Sequence, residues 1–230
     1  MKFRVARDEF ADSVAWVARS LPSRPPVPVL GCVVLGADDG LTISGFDYEV
    51  SARVEVPAMI GDAGRALVSG RLLADITKSL PHKPIELISE GSKVQVTCGS
   101  AKFSLQSMPT GEYPTLPENP EPTGVIGGDV FTQAVAQVSV AADRGDTLPI
   151  LTGVRIEVQG NKLTLLATDR YRLAMREVLW NGGDENAEYA ALVPARTLDS
   201  LAKALGAAGS VSLSLSGAST GSGLVGFEAG

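Results

Sequence analysis

Histidine is nearly missing from this chain, with His82 alone among 230 residues, and cysteine stops at Cys32 and Cys98. Both cysteines sit in strand-like segments without partners at metal-ligand spacing, so no metal site is implied. His82 lies in PHKP, a turn with no Ser or Cys partner, and reads as an exposed turn residue rather than a catalytic base. Aromatics make up only 5% of the residues, so the cores have to be built from Val, Leu, Ile and Ala. No run of eighteen apolar residues occurs, and MKFRVARDEF lacks the apolar stretch of a secretory signal. A cytoplasmic, reduced protein is expected. Net positive charge is also lacking. At −6 the chain is not coated in positive charge as a histone-like binder is, although a local basic surface remains compatible with that total.

What the chain has is repetition. Residues 27 to 52, VPVLGCVVLGADDGLTISGFDYEVSA, return in altered form as residues 148 to 174, LPILTGVRIEVQGNKLTLLATDRYRLA. Asp8, Phe10, Val14 and Val17 fall 121 positions before Asp129, Phe131, Val135 and Val138, and Pro28 and Leu30 keep that offset to Pro149 and Leu151. Further along, ALVSGRLLADITKSL (66–80) matches ALVPARTLDSLAKAL (191–205). A period of about 120 residues is too long for a solenoid unit, so each copy is expected to be a domain. The Pro- and Gly-rich stretch 108–124 reads as the connector, which places the domains at 1–120 and 121–230.

Each copy carries a smaller repeat of strand, helix and three strands. In the first, a strand at Phe3–Val5 precedes a helix from Asp8 to Leu21, with Phe10, Val14, Val17 and Leu21 at helical spacing and Asp8 as N-cap. Strands are expected at Val29–Leu35, Leu41–Ser44, Ala52–Val56 and Ala66–Ser69. A second helix spans Arg71–Leu80, with Leu72, Leu73, Ile76 and Leu80 on its apolar face. Strands at Ile85–Ser89, Lys93–Thr97 and Ala101–Ser107 complete the copy. The second copy repeats this as far as Val211–Leu215 and Leu224–Glu228, then reads as stopping before its last strand. Its tract SLSGASTGSGLVG (214–226) lacks the Lys of a phosphate loop and reads as a hairpin. The fold class is α+β.

The segments MKF, RPPVPVL (24–30), LPILTG (148–153), ATDRYRLA (167–174) and LVPAR (192–196), in this order on a duplicated background, resemble the bacterial DNA polymerase III beta subunit, the replication sliding clamp. The resemblance runs along the whole chain. It implies a subunit of three such domains, with the third absent here, and a ring of two subunits around duplex DNA. Helices would line the concave face, with sheets outside. Such a ring slides without reading sequence and tethers polymerase and clamp-loader subunits through short peptides. No cofactor and no catalysis are implied.

The site residues follow from the same resemblance. Arg71, Lys78, Arg196 and Lys203, with Arg19, fall on polar helix faces that also carry Glu9, Asp12, Asp75 and Asp199. By residue pattern alone these are solvated mixed-charge faces, and by resemblance they are phosphate contacts. Arg24, before a Pro pair, and Arg144, in ADRGD, are loop candidates for DNA. Asp146-Thr147-Leu148 departs from the polar or aromatic residues the family carries beside Arg144. Leu151, Thr168, Arg170, Tyr171, Arg172 and Leu173 would form one wall of a peptide groove. Lys102, Phe103 and Leu105 on the strand 101–107, with Ile76, would form a dimer interface. Two rival readings use the same residues: a hydrolase built on Asp169 and its arginines, and a peptide-binding scaffold with no nucleic-acid role. Asp47 stands at the position equivalent to Asp169, which points to a structural role for that carboxylate in a turn.

Overall fold

The computed structural model describes residues 1–145, 148–182, 186, 188–215 and 223–229. The chain divides into two units, Met1–Pro117 and Glu118–Gly230. Among the described residues, no helix is long and apolar enough to cross a membrane.

In the first unit, β1 (Lys2–Val5) leads into α1 (Arg7–Ser20), whose Phe10, Val14 and Val17 recur at helical spacing and are fully buried. The chain then makes β2 (Cys32–Ala37), β3 (Leu41–Phe46), β4 (Ser51–Val56), β5 (Ala58–Asp62) and β6 (Gly64–Ser69). After α2 (Gly70–Ser79) come β7 (Ile85–Glu90), β8 (Lys93–Cys98) and β9 (Ala101–Gln106). Two antiparallel sheets result, in the orders β5-β1-β7-β8-β9 and β4-β3-β2-β6. Side chains alternate across β2. Val33 and Leu35 join Phe10, Val14 and Leu73 in the main core, while Cys32 and Val34 face the opposite side.

The second unit repeats the plan. β10 (Gly124–Gly127), α3 (Gly128–Ser139), β11 (Gly153–Gln159), β12 (Lys162–Thr168), β13 (Leu173–Leu179) and the short β14 (Asn181–Gly182) are followed by β15 (Glu188–Pro194), α4 (Ala195–Leu205), β16 (Ser210–Leu215) and β17 (Val225–Glu228). The sheets run β13-β12-β11-β15 and β14-β10-β16-β17. Phe131, Val135, Val138 and Leu198 fill the core against Val154, Ile156, Leu163 and Leu165. In this unit residues 216–222, the middle of the Gly/Ser-rich tract, lie outside the described residues.

The two helices of each unit lie antiparallel. The Arg7 guanidinium, at the start of α1, donates to Lys78 O at the end of α2 (2.7 Å), while Gly70, opening α2, packs beneath Leu21. In the second unit Thr132 Oγ1 on α3 bonds to Ala202 O on α4 (2.9 Å).

Several expectations are corrected. Residues Pro28–Gly31 form a 3-10 turn, not the start of a strand, because Pro28 presets φ and offers no N–H to a ladder. The strand β5 is an addition to the expected elements. Its sequence AMIGD shows no apolar alternation, and it forms because β1 offers it a free edge. Asp8 is not the N-cap. That position belongs to Ala6, and the Asp8 carboxylate instead meets Arg7 at 2.7 Å and His82 at 3.2 Å, which hold it below the usual carboxylate range. Leu72 is half exposed, since the inner face of α2 belongs to Leu73, Ile76 and Thr77.

Close helix approach yields a test. A Cβ on Gly128 would stand 2.2 Å from the Ala208 carbonyl oxygen, a backbone atom that cannot swing aside. Gly128→Ala is expected to destabilise the second unit by about 1–3 kcal/mol, whereas Gly40→Ala, with nothing within 4 Å, leaves stability nearly unchanged. Urea denaturation of the two variants checks this.

Candidate nucleic-acid and peptide surfaces

Two exposed cations stand seven residues apart on α2, Arg71 and Lys78, and two stand seven apart on α4, Arg196 and Lys203. Seven residues are close to two helical turns, so each pair shares one face at a rise of about 10 Å. Leu73, Ile76 and Thr77 of α2 and Leu198 and Ala202 of α4 point to the cores, which leaves these cations on the solvent side. The C-terminal end of α1 lies at the N-terminal end of α2, and Arg71 donates to Pro22 O (3.3 Å), two residues before exposed Arg24. Arg24 and Arg71 are thus brought to one end of the first helix pair, with Lys78 near the other. Lys203 is engaged by Asp199 at 2.6 Å. Exposed Arg144 follows Asp143, whose N–H is bonded to Leu151 O (2.8 Å). Asp146 and Thr147 lie outside the described residues.

Basic charge is therefore concentrated on α2 and α4. The exposed face of α3 carries Asp129, Gln133 and Gln137, and that of α1 carries Asp8, Glu9 and Asp12 in its first turns, where acidic residues favour the helix dipole. Arg176 is a cation that the sequence motifs do not single out. It is exposed on β13 at the parity of Ala174 and Val178, which pack on the second core, so it stands on the helix-bearing side of its sheet.

The hairpin between β12 and β13 is held by its own sequence. Asp169 Oδ1 accepts the N–H groups of Tyr171 (3.1 Å) and Arg172 (3.0 Å), and Oδ2 accepts Arg172 Nε (2.9 Å). Thr168 Oγ1 donates to Arg172 O (2.7 Å), and Arg170 takes φ +78°. Asp47 does the same work between β3 and β4, accepting from Glu49 (3.0 Å) and Val50 (2.7 Å) with Tyr48 at φ +76°. The Asp is a turn-former in both copies, as its repeat predicted. Held this way, the second hairpin displays Tyr171 (90% exposed), Leu173 (63%), Arg170 and Arg172. Arg155 pairs with Leu166, so the N-terminal end of β11 lies along the C-terminal end of β12, and half-buried Leu151 is carried to the same end of the sheet. The apolar surface extends beyond the residues expected from sequence, to Ile150, Met175 and Leu192, all exposed. Alternation along β13 held the signal for Met175.

At the expected dimer edge the outcome is mixed. The strand β9 does end its sheet, and Lys102 and Phe103 are exposed. Leu105 and Ile76 belong to the first core, at 3% and 9% exposure.

Hydrogen bonds from the Arg172 N–H, then the Tyr171 N–H and the Arg172 guanidinium, hold the Asp169 carboxyl below its ordinary 3.8. A depressed folded-state pKa means the stabilisation is complete above that value and disappears as pH falls below it. Amide protection at Tyr171 and Arg172, measured against the intrinsic exchange rate at each pH, is therefore expected to hold at neutral pH and to fall below about pH 3.8. In Asp169→Ala that protection should be absent throughout; persistent protection in that variant would refute the account.

Comparison with known proteins places these features in a family. Residues 1–117 match the DNA polymerase III beta subunit, N-terminal domain, and residues 125–230 match its central domain. The chain is 55% identical to the beta sliding clamp of Streptomyces coelicolor over 229 residues, covering 99% of this chain and 61% of that protein. It is 51% identical to the beta sliding clamp of Micrococcus luteus over 231 residues, covering 100% of this chain and 74% of that protein. Its fold overlays a crystal structure of the Bacillus subtilis DNA polymerase sliding clamp with a TM-score of 0.88 at 28% identity, over 94% of this chain and 60% of that one. The chain belongs to the DNA polymerase III beta subunit family, the beta sliding clamps.

Proposed function

We propose that this chain forms the first two domains of a cytoplasmic sliding clamp, a non-catalytic processivity factor. In the whole protein, two three-domain subunits close a ring around duplex DNA and tether polymerase and clamp-loader subunits through short peptides. The observation that carries this reading is the doubled cation pair. Arg71 and Lys78 on α2 recur as Arg196 and Lys203 at the same positions of α4, exposed on the side opposite each core. A repeated, solvent-facing basic pair suits contact with phosphates, which carry no sequence information. Arg24 and Arg144 add loop contacts. Such contacts hold the duplex loosely enough for sliding, and the chain's overall negative charge discourages non-specific sticking elsewhere.

In this reading Leu151 and Leu173 take the apolar anchors of a partner peptide, while Thr168, Arg170, Tyr171 and Arg172 frame its polar part. Lys102, Phe103 and the unpaired backbone edge of β9 meet the partner subunit.

The test uses the full-length protein loaded onto circular and linear DNA. A ring is retained on closed circles and lost when they are cut; equal retention on both would favour a peptide scaffold without a DNA role. Arg71→Ala and Arg196→Ala are each expected to lower the slope of log affinity against log salt by about 1. Truncating the Leu173 anchor to Ala should cost about 2 kcal/mol of peptide affinity, roughly 30-fold in Kd by titration calorimetry.

A further inference from the structure

The two units close the same helix junction by different means. Arg7 opens α1, and at the repeat offset of 121 its counterpart is Gly128, which opens α3. Gly128 lets backbone meet backbone. Its N–H donates to Gly209 O (3.4 Å), and an added Cβ would stand 3.3 Å from Leu205 O and 2.2 Å from Ala208 O. In the first unit a guanidinium fills that place. Arg7 Nη2 donates to Lys78 O (2.7 Å), and Nη1 donates to the Asp8 carboxylate (2.7 Å), which also meets His82. The Arg7 side chain is only 16% exposed, and its Nε is buried with no hydrogen-bond partner among the described residues. Stability alone does not favour a cation there. It opposes the dipole at the start of α1, and an orphaned buried donor carries a cost that glycine avoids in the second unit.

The residue that Arg7 grips is one of the exposed helix cations. Lys78 stands in the last turn of α2, where carbonyls lack intrahelical partners. Thr77 O takes the Leu80 N–H (3.4 Å) and Ile76 O the Ser79 hydroxyl (2.8 Å), while Lys78 O is held from across the helix pair. The Lys78 ammonium makes no ion pair among the described residues. Four residues before it stands Ala74, whereas Lys203, its counterpart on α4, has Asp199 at 2.6 Å. The end of α2 also carries the negative pole of the helix dipole, which repels an approaching phosphate. We propose that Arg7 is a positioning residue for DNA contact: it touches no phosphate, and by holding Lys78 O and offsetting that negative pole it keeps the Lys78 ammonium available to one. This role rests on the phosphate reading of the helix cations. It makes the two units unequal, with a free cation on a clamped backbone in the first and a cation tied to its own helix in the second.

A double-variant cycle on the full-length protein tests this, read as the slope of log DNA affinity against log salt. Lys78→Ala is expected to lower that slope by about 1. Arg7→Ala should lower it by about the same amount, and the two together by about 1 rather than about 2, since both remove one contact. Combined with Arg71→Ala, at the other end of α2, the loss from Arg7→Ala should add. An Arg7→Ala, Lys78→Ala pair that loses about 2 overturns the proposal, because Arg7 then acts independently of Lys78. An unchanged slope in Arg7→Ala alone overturns it too. So does coupling to Arg71 as strong as to Lys78, which would mean that all of α2 has loosened. If Arg7→Ala does not fold, Arg7→Lys goes through the same cycle under the same outcomes, since lysine keeps the charge but lacks the fixed fork that joins Lys78 O to Asp8. An unchanged slope in Lys78→Ala sinks the phosphate reading of α2 and this role with it, whereas an additive pair leaves that reading standing and removes Arg7 alone.

Discussion

In each unit, two antiparallel helices press together, and small residues are required where their ends meet neighbouring chain. Gly70 sits beneath Leu21 and Val33, Gly128 against the Ala208 carbonyl, and Gly206 against Thr132. Everything exposed on the helices is placed by that contact. Once Leu73 and Ile76, or Leu198 and Ala202, are turned inward, residues two turns apart such as Arg71 and Lys78 have no choice but to face solvent together. The basic pairs are thus a consequence of core packing, and they recur because the packing recurs.

The hairpins show the complementary strategy, one backbone with interchangeable side chains. An Asp that accepts two N–H groups stabilises a four-residue loop whose second residue has positive φ, a strained geometry for a residue with a Cβ. With the backbone self-supporting, the remaining positions are free to differ. Tyr48, Glu49 and Val50 occupy the first loop, and Arg170, Tyr171 and Arg172 the second. Only the second loop gathers two guanidinium groups and an aromatic next to exposed Leu173.

Much of this was legible before any coordinates. The repeat offset, the burial of Phe10, Val14 and Val17, and the structural role of Asp169 all rest on local signals: spacing along one helix, or a side chain reaching a backbone two residues away. Failures came where the answer lies far off in sequence. The strand β5 exists because β1 leaves an edge for it, and Leu72 is exposed because α1 and the sheets receive the other side of α2. Leu105 is a core residue although it shares parity with exposed Phe103 on the same strand, a difference that the strand's own pattern does not announce.

The sequence by itself determined that two sibling domains exist, which helices are amphipathic, and that an Asp-closed hairpin occurs in each, since these depend on periodicity and short-range hydrogen bonding. Tertiary structure alone decided which apolar faces are covered. Nothing in the local pattern of Val29 and Leu30 announces their burial; they are covered because Met108 and Tyr113 return from far along the chain to lie on them. Burial is a property of what arrives from elsewhere, and chain distance hides it from any reading of neighbours.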